Sequence, residues 1–429
     1  MKFQFEMIKS FLYYTYIKFK KPIGVFLSVF LCSYLFAGCA TYQSRVHESR
    51  RLLENGSPEL AAEKLEKFAF QTGGDQLIYL LDYAVALQLS GQIEKSNRAF
   101  IQADKLSESL DYVSVSNMAG SLLLNEEMKH YKGDSFEKIF INAYLAMNFL
   151  QANQLDDALV EARRINEKFK RYRQEEKKDF EMNSLGKYLS ALAWEAAGQY
   201  DDAYIAYDEA RKIDSQIPFI EQDLLRTAKL SRRQQAYNDL KKSYSQIENP
   251  NWYNKQYGEI IFIHQQGWGP RKDFMPTDYR FPMLFPYRSF TQSSQLEIDG
   301  IDVVKSQLVY DVETASVKTL NDDVALLMAK KIAAEIAKQA VANKLSEKNE
   351  LLGSLAYIAM KASDRADLRQ WSTLPQSIQM VRLFLPAGRY HLKASGLSVY
   401  GQPTGELKEF KSVNVEPMKK IFLVWRSVK

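Results

Sequence analysis

Few residues of this 429-residue chain have the types and spacing that catalysis or metal binding requires. No HExxH or HxH pattern includes any of the four histidines, which are His47, His130, His264 and His391. The sequence contains no GxSxG nucleophile elbow, phosphate-binding loop or dinucleotide fingerprint. Glycan cleavage needs only two nearby carboxylates, and the candidates are Asp299, Asp302, Asp364 and Asp367. Surface, capping or turn roles are the simpler interpretation of these residues, so we expect no enzyme, no metal site and no cofactor.

A segment rich in aromatic, glycine and proline residues, 251–290, is the best candidate for a binding surface. It holds eleven aromatic side chains, and basic residues among them can stack on the rings or hold an anion. The candidate ligand or partner surface consists of Trp268, Arg271, Lys272, Tyr279, Arg280 and Tyr287. The alternative is that the aromatic side chains only pin a proline-rich loop onto a sheet.

The first 38 residues have the layout of an export signal. Five lysines precede an apolar run at 23–36, which is shorter than the roughly 20 residues of a membrane-spanning helix. The tetrapeptide FAGC at 36–39 resembles the bacterial lipobox, with Phe36 where that pattern prefers leucine. The resemblance implies cleavage before Cys39, acylation of its thiol and new amino group, and, with Ala40 next, transport to the outer membrane. We therefore predict a lipid anchor at Cys39, the alternative being a secreted protein with an incidental cysteine.

The cysteine content and the net charge limit the possible compartments and partners of the protein. The only other cysteine, Cys32, lies within the predicted signal, so the mature chain would have neither disulfides nor thiolate metal sites. The whole chain has a formal charge of +5, and removal of residues 1–38, with five lysines and Glu6, would leave about +1. A nearly neutral protein does not attract nucleic acid, so we expect no nucleic-acid partner.

One pattern occurs four times in the amino-terminal half: a turn residue, a small residue five positions later, and apolar or small residues after a further four and three. The turn residues are Gly56, Gly91, Asn153 and Gly198, and the small residues are Ala61, Ser96, Ala158 and Ala203. Small residues let two helices approach closely, so each unit predicts a helix hairpin. The pattern resembles the tetratricopeptide repeat, although its spacings of 35, 62 and 45 residues are irregular. Such arrays bind peptides or proteins in a concave groove.

Two further segments of this half depart from the repeat. An extra helix is expected around 112–124, and the charged stretch 165–181 is expected to extend one helix beyond its hairpin. The charges of that stretch form either a solvated helical face or a partner site, and the first is the simpler interpretation. Residues 219–247 predict one or two closing helices.

From Pro250 onward the sequence favours strands. An apolar run predicts a buried strand at 259–264, and a strand pair is expected near 295–320. Alternating apolar residues predict strands at 378–385 and 389–394, which form a hairpin. An alanine-rich segment that begins near Asp322 predicts an amphipathic helix. We thus predict three regions: a signal peptide at 1–38, a tetratricopeptide-like α-helical solenoid at 39–247, and a smaller α+β domain with an antiparallel sheet at 248–429.

The chain as a whole resembles a family of uncharacterised bacterial lipoproteins. The resemblance lies in the lipobox, the irregular hairpins, and the segments ALVEARRINEKF at 158–169, GEIIFIHQQGWGPRK at 258–272 and ADLRQWSTLP at 366–375. It implies a periplasm-facing outer-membrane protein, anchored by acyl chains, that docks an envelope protein during envelope assembly or maintenance. It supplies no catalytic residue. The alternative is a protein that binds or processes peptidoglycan or another glycan through the segment 251–290.

Overall fold

A computed structural model describes residues 42–116, 130–175, 177, 179, 181–244, 247–347, 350, 354 and 365–429. Residues Glu48–Lys429 form one compact unit, and of the other unit, Met1–His47, the described part is the start of the first helix. The predicted signal peptide and Cys39 lie outside the described residues.

Ten α-helices precede the first strand in the described part of the chain. They are α1 Tyr42–Glu54, α2 Pro58–Ala69, α3 Gln76–Leu89, α4 Ile93–Ser116, α5 Ser135–Gln151, α6 Leu155–Gln174, α7 Ser184–Ala196, α8 Tyr200–Ile213, α9 Ile220–Leu230 and α10 Gln234–Tyr244. Each helix from α2 to α9 packs against the helix that follows it in the chain, so the series ends with α10 packed on α9. This array confirms the predicted tetratricopeptide-like helical fold of the amino-terminal half.

The turns between paired helices confirm the predicted turn residues. All four have a positive φ: 72° at Gly56, 77° at Gly91, 55° at Asn153 and 74° at Gly198. The N–H of Gly91 donates to the carbonyl of Gln88 (3.0 Å) and that of Gln92 to the carbonyl of Leu87 (2.9 Å), which closes the end of α3. Glycine adopts this conformation without steric cost and asparagine tolerates it. A fifth turn, at Arg232 with φ 61°, joins α9 to α10 and carries no such sequence signal.

The small residues of the pattern lie where the helices touch. The exposed fraction is 0% at Ala61, Ser96, Ala158 and Ala203. The Ser96 hydroxyl donates to the Ala84 carbonyl (2.8 Å), so α4 lies directly against α3. Helix α6 continues to Gln174, as the charged stretch predicts. The extra helix expected at 112–124 lies mostly outside the described residues.

The carboxyl-terminal half consists of strands and one long helix. The strands are β1 Tyr257–Gln266, β2 Arg271–Met275, β3 Asp278–Phe285, β4 Ser293–Ile298, β5 Ile301–Lys305, β6 Gln307–Asp311, β7 Ser377–Pro386, β8 Gly388–Leu397, β9 Pro403–Val415 and β10 Lys420–Arg426. Two four-stranded sheets have the orders β10-β1-β7-β6 and β5-β4-β8-β9, and β2 pairs with β3. The pairings are antiparallel except that β10 runs parallel to β1. The predicted α+β class is confirmed, and the parallel pair is an addition to it.

The two four-stranded sheets share an apolar core. It includes Ile260 and Phe262 of β1, Leu296 of β4, Leu392 of β8 and Trp425 of β10. Because side chains alternate between the two faces of a strand, the other residues of β1 face away from this core. The sheet that contains β1 therefore has a second face, which meets the helices.

The long helix begins earlier than the sequence indicates. Helix α11 spans Val312–Ser346, whereas we expected a strand up to Leu320 and a helix from Asp322. The Asp311 side chain accepts a hydrogen bond from the Thr314 N–H (2.8 Å) and caps the helix. This cap outweighs the preference of the β-branched residues Val312, Thr314 and Val317 for strands. The change from helices to strands falls between α10 and β1, and a domain boundary at residue 248 stays a prediction.

Candidate functional site

The expected docking groove of the helical array is closed by the chain's own sheet. Every residue of 77–88 in α3 and of 184–195 in α7 is buried, as are nearly all residues of α5. Gln265 of β1 lies against two of these helices. Its amide donates to the Gln88 side chain (3.2 Å), and its carbonyl oxygen accepts from the Tyr144 hydroxyl (3.4 Å). Helices buried on all sides leave no groove for a peptide along this part of the array.

Six charged side chains lie buried where α7 and α9 meet this sheet. They are Glu195, Asp223, Arg226, Glu259, Arg382 and Lys420, and at most 9% of any of these side chains is exposed. We call them the buried charge network. Arg226 bonds Glu195 (Nε–Oε1 2.6 Å) and Asp223 (Nη2–Oδ1 2.6 Å) on the helices. Three positive and three negative groups make the network neutral, which is the condition for holding charges in a dry interior.

The network crosses from the helices to the sheet at Arg382 and Lys420. The Arg382 guanidinium bonds Glu259 (Nε–Oε1 2.7 Å) on β1 and Asp223 on α9. The Lys420 ammonium bonds Glu259 and lies 3.1 Å from Glu195 Oε1. Three strands, β1, β7 and β10, and two helices are thereby joined through paired charges.

Electrostatics fixes the protonation states in the network. Burial raises the pKa of the Glu195 carboxyl, but Arg226 and Lys420 outweigh burial and hold that pKa well below its ordinary value. Burial and the neighbouring Asp223 hold the pKa of Tyr188 well above its ordinary value. The Tyr188 hydroxyl donates to Asp223 (2.6 Å). The network therefore offers neither a free general base nor a free general acid, and its role is structural.

The segment 366–375, which has a turn at Ser372 and Thr373, contacts α3 and α5. The Trp371 ring packs among the rings of Phe100, Phe140 and Tyr144, with centroids 5.5 to 6.4 Å apart. The Asp82 carboxylate accepts hydrogen bonds from the Thr373 N–H (3.1 Å) and hydroxyl (2.8 Å). A stretch of the same chain thus occupies a place at which a partner peptide could have bound.

Glu137 of α5 holds the backbone of this segment. Its carboxylate accepts hydrogen bonds from the Trp371 N–H (3.1 Å), the Asp134 N–H (3.0 Å) and the Tyr131 hydroxyl. Burial, with Asp134 nearby, raises the pKa of Glu137 to about 7. The Tyr131 hydroxyl can rotate to accept a bond from the protonated carboxyl, so both protonation states keep their partners.

A Glu137→Gln variant is expected to lose a pH dependence that the wild type has. The folded-state pKa of about 7 lies above the ordinary value of 4.5, so the stabilisation is fully present below pH 4.5 and is lost as pH rises through 7. Urea unfolding from about pH 5 to pH 8 should show wild-type stability falling against the variant by on the order of 1–3 kcal/mol. The exposed Glu94→Gln variant should follow the wild type. Parallel curves for wild type and Glu137→Gln would contradict this assignment.

Four of the six residues of the candidate ligand surface lie on the paired strands β2 and β3, and Trp268 and Tyr287 lie outside these strands. Trp268 is fully buried, and its indole N–H donates to the Val428 carbonyl (2.8 Å). Trp268 is therefore placed as the packing alternative describes. Arg280 pairs with Asp278 on its own strand (Nη2–Oδ2 2.7 Å).

The remaining four residues lie nearer the surface. Tyr287 is half-buried and donates its hydroxyl hydrogen to Glu54 (3.0 Å). Lys272 is half-buried and donates to the Arg369 carbonyl (3.2 Å). Arg271 is exposed, and Tyr279 has an exposed fraction of 53%. A ligand surface at Arg271 and Tyr279 stays a prediction.

The charged stretch 165–181 binds neighbouring helices. Lys168 is buried and pairs with Asp104 of α4 (2.6 Å). Arg171 pairs with Glu108 of the same helix (2.9 Å), and Arg173 with Glu209 of α8 (3.3 Å). Lys168, Arg171 and Arg173 therefore join α6 to α4 and α8, and Glu167 and Lys170 of the same stretch are exposed.

His264, which lies three residues before Gly267-Trp268-Gly269, is a core residue. Its ring stacks on Trp425 with centroids 4.8 Å apart, and its Nε2 is 2.9 Å from the Ser427 hydroxyl. Burial lowers the pKa of His264 to about 3, so the ring is neutral at ordinary pH. Within the described residues, no group of three or more His, Cys, Asp or Glu side chains is placed to hold a metal ion. No helix in that part of the chain is long and apolar enough to cross a membrane.

One residue, Asp82, indicates from the sequence that α3 has a specific polar partner, although the sequence does not identify that partner. Asp82 is the only charged residue of α3, whose sequence is otherwise almost entirely uncharged and apolar. A charge in a helix that is buried all round needs a specific partner, and here the partner is the segment 366–375. Glu137, by contrast, has the ordinary place of a capping-box glutamate. Nothing local in the sequence indicates its second partner, Trp371.

Comparison with known proteins gives weak similarities to helical-repeat structures. No family model and no curated protein matches the chain. A Podosopora anserina protein described as a kinesin light chain with nearly identical TPR-like repeats is 16% identical, with 48% of this chain and 93% of that chain covered and a TM-score of 0.33. MamA from Desulfovibrio magneticus RS-1 is 19% identical over 48% and 92%, with a TM-score of 0.30. Aspartyl phosphate phosphatase F from Bacillus subtilis is 11% identical over 82% and 79%, with a TM-score of 0.32. At such TM-scores no argument about function follows.

Proposed function

We propose that the protein is a lipid-anchored, periplasm-facing scaffold of the bacterial outer membrane that binds an envelope protein through the outer side of its helical array. The observation that carries the anchor is the sequence LFAGCAT at 35–41. Only Ala40 and Thr41 separate Cys39 from Tyr42, where α1 begins. An anchor at Cys39 would therefore confine the folded region close to the membrane and raise its effective concentration toward envelope partners.

Because the inner face of the array is closed, we place the partner on the outer helices α6 and α8. Val160 of α6 and Ile205 of α8 have exposed fractions of 41% and 44%. Each lies two positions after the small residue of its repeat, Ala158 or Ala203, so the two are equivalent positions of neighbouring hairpins. Exposed aliphatic side chains at repeated positions suit a protein partner better than a glycan, because sugars are bound mainly through polar and aromatic groups.

A Cys39→Ser variant tests the anchor. We expect metabolic labelling with an alkyne-bearing fatty acid to mark the wild-type protein and to leave the variant unmarked, since the serine hydroxyl does not replace the thiol in this modification. A Ser44→Ala variant serves as the matched control. Equal labelling of wild type and Cys39→Ser would rule out the anchor.

Crosslinking in intact cells tests the scaffold. We expect a defined envelope protein to be recovered with the wild type and lost from a Val160→Glu/Ile205→Glu variant of unchanged stability. A Val303→Glu variant, which changes an exposed residue of β5, should keep the partner. Recovery of glycan fragments without a protein would instead support the alternative at Arg271 and Tyr279. A partner retained by the double variant would exclude the outer helices.

A further inference from the structure

Two buried arginines lie over the same tryptophan without a carboxylate partner. Arg50 of α1 and Arg426 of β10 have exposed fractions of 7% and 8%. The guanidinium carbon of Arg50 lies 4.8 Å from the centroid of the Trp268 ring, and that of Arg426 lies 5.1 Å from it. Both positive charges therefore lie beside one ring in the interior, and the charge of Arg50 acts on Arg426. Neither arginine forms an ion pair with any residue in the described part of the chain.

Several donors of these guanidinium groups also lack hydrogen bonds. Nη2 of Arg50 and both Nε and Nη1 of Arg426 are buried and have no hydrogen-bond partner. The Nη2 of Arg426 donates to the Thr373 carbonyl (3.1 Å). Burial, together with the charge of Arg50, lowers the pKa of Arg426 to about 10. A buried positive charge without a contacting carboxylate and buried donors without acceptors both cost free energy, so an acceptor bound here would be stabilising.

The nearby carboxylates are engaged elsewhere. Glu54, one turn after Arg50 on α1, accepts the Tyr287 hydroxyl (3.0 Å). Asp82 accepts bonds from the segment 366–375. Glu406 accepts the Val428 N–H (2.9 Å) and the Thr291 hydroxyl (2.6 Å). None of these three carboxylates is within ion-pair distance of Arg50 or Arg426, although each is near enough to act on one of them at longer range.

We propose that Arg50 and Arg426 bind a small oxyanion beside Trp268, with the positive charge of the exposed Arg271 nearby. A guanidinium group presents a rigid set of N–H donors that matches the oxygens of phosphate and carboxylate groups. Arg271 adds a third positive charge near Arg50, and burial together with this charge lowers the pKa of Arg50. An anion at this position would supply both the missing charge and the missing acceptors. The ligand class is phosphate or carboxylate.

Inorganic phosphate is the probe for this site. Purified full-length protein, dialysed into chloride buffer, is heated with phosphate, with acetate, or with chloride added to equal ionic strength. We expect phosphate, acetate or both to raise the Tm of the wild type above the chloride value, because a ligand that binds only the folded state stabilises it. The anion that gives the larger shift identifies phosphate or carboxylate as the preferred group. Ion chromatography of the denatured protein detects any anion that dialysis has not removed.

Arginine variants separate a binding site from a general salt effect. Arg50→Met and Arg426→Met should each lower the affinity for the anion by about 10- to 100-fold, the equivalent of one or two charge-assisted hydrogen bonds. Arg51→Met, at an exposed neighbouring position on α1, should bind as the wild type does. If Arg426→Met does not fold, the anion response of Arg50→Met alone tests the proposed site. The proposal is overturned if the wild type neither retains nor responds to an anion, or if Arg50→Met responds equally.

Discussion

Replacement of Arg382 by methionine is expected to lower the free energy of unfolding by about 3–5 kcal/mol. Arg382 is the group of the buried charge network that bonds both Asp223 on α9 and Glu259 on β1. Without it, three buried carboxylates face only two cations, and one negative charge remains uncompensated in the interior. Urea unfolding, monitored by far-UV circular dichroism, measures the loss.

An exposed arginine gives the matched control for this prediction. Arg233 bonds Asp201 (Nε–Oδ1 2.6 Å), but this pair lies at the surface. Arg233→Met should therefore cost less than about 1 kcal/mol, because solvent already screens the pair. Similar losses for the two variants would show that the network is solvated. Since Arg382 links the helices to the sheet, we also expect wild type to unfold in a single transition across Glu48–Lys429.

Replacement of Trp371 by alanine is expected to cost about 3–5 kcal/mol. The indole fills the space among Phe100, Phe140 and Tyr144, and its N–H donates to the Thr373 hydroxyl (3.1 Å). The substitution would leave a cavity between α5 and the segment 366–375. Thermal and urea unfolding give the magnitude.

A second aromatic substitution shows whether this loss comes from packing. Tyr400, in the turn after β8, has an exposed fraction of 87%. Tyr400→Ala should change stability by less than about 0.5 kcal/mol. A Trp371→Ala loss as small as this would mean that the segment 366–375 rests loosely on the array, and that the inner face of the helices is accessible to a partner.

Local features of the fold were predictable from the sequence because local rules decide them. A turn between antiparallel helices needs a residue that tolerates positive φ, and Gly91 and Asn153 meet that need within their own segments. The hairpin β7–β8 follows in the same way from alternation on either side of a short turn. The start of α11 was missed because composition and capping disagree there, and the Asp311 cap prevails.

Long-range features were not predictable, because the partners are far apart in the chain. Glu259 pairs with Lys420, and Asp82 with Thr373, across more than a hundred residues. The closing of the helical groove depends on such pairs. Trp268 illustrates the same limit for the candidate site, because a tryptophan that packs and a tryptophan that binds a ligand look identical in sequence. The accompanying arginines pointed to an anion, but Arg50 and Arg426 lie outside the segment 251–290.

The parallel pairing of β10 with β1 has a consequence for biosynthesis. Strand β1 lies between β7 and β10, and β10 is within the last ten residues of the chain. The helical array leaves the ribosome long before Lys420 is synthesised. Glu195 and Glu259 therefore lack this ion-pair partner until β10 has been made. Pairing of β10 with β1 must then follow synthesis of Lys420, and chains that end before Lys420 should aggregate through the exposed edge of β1.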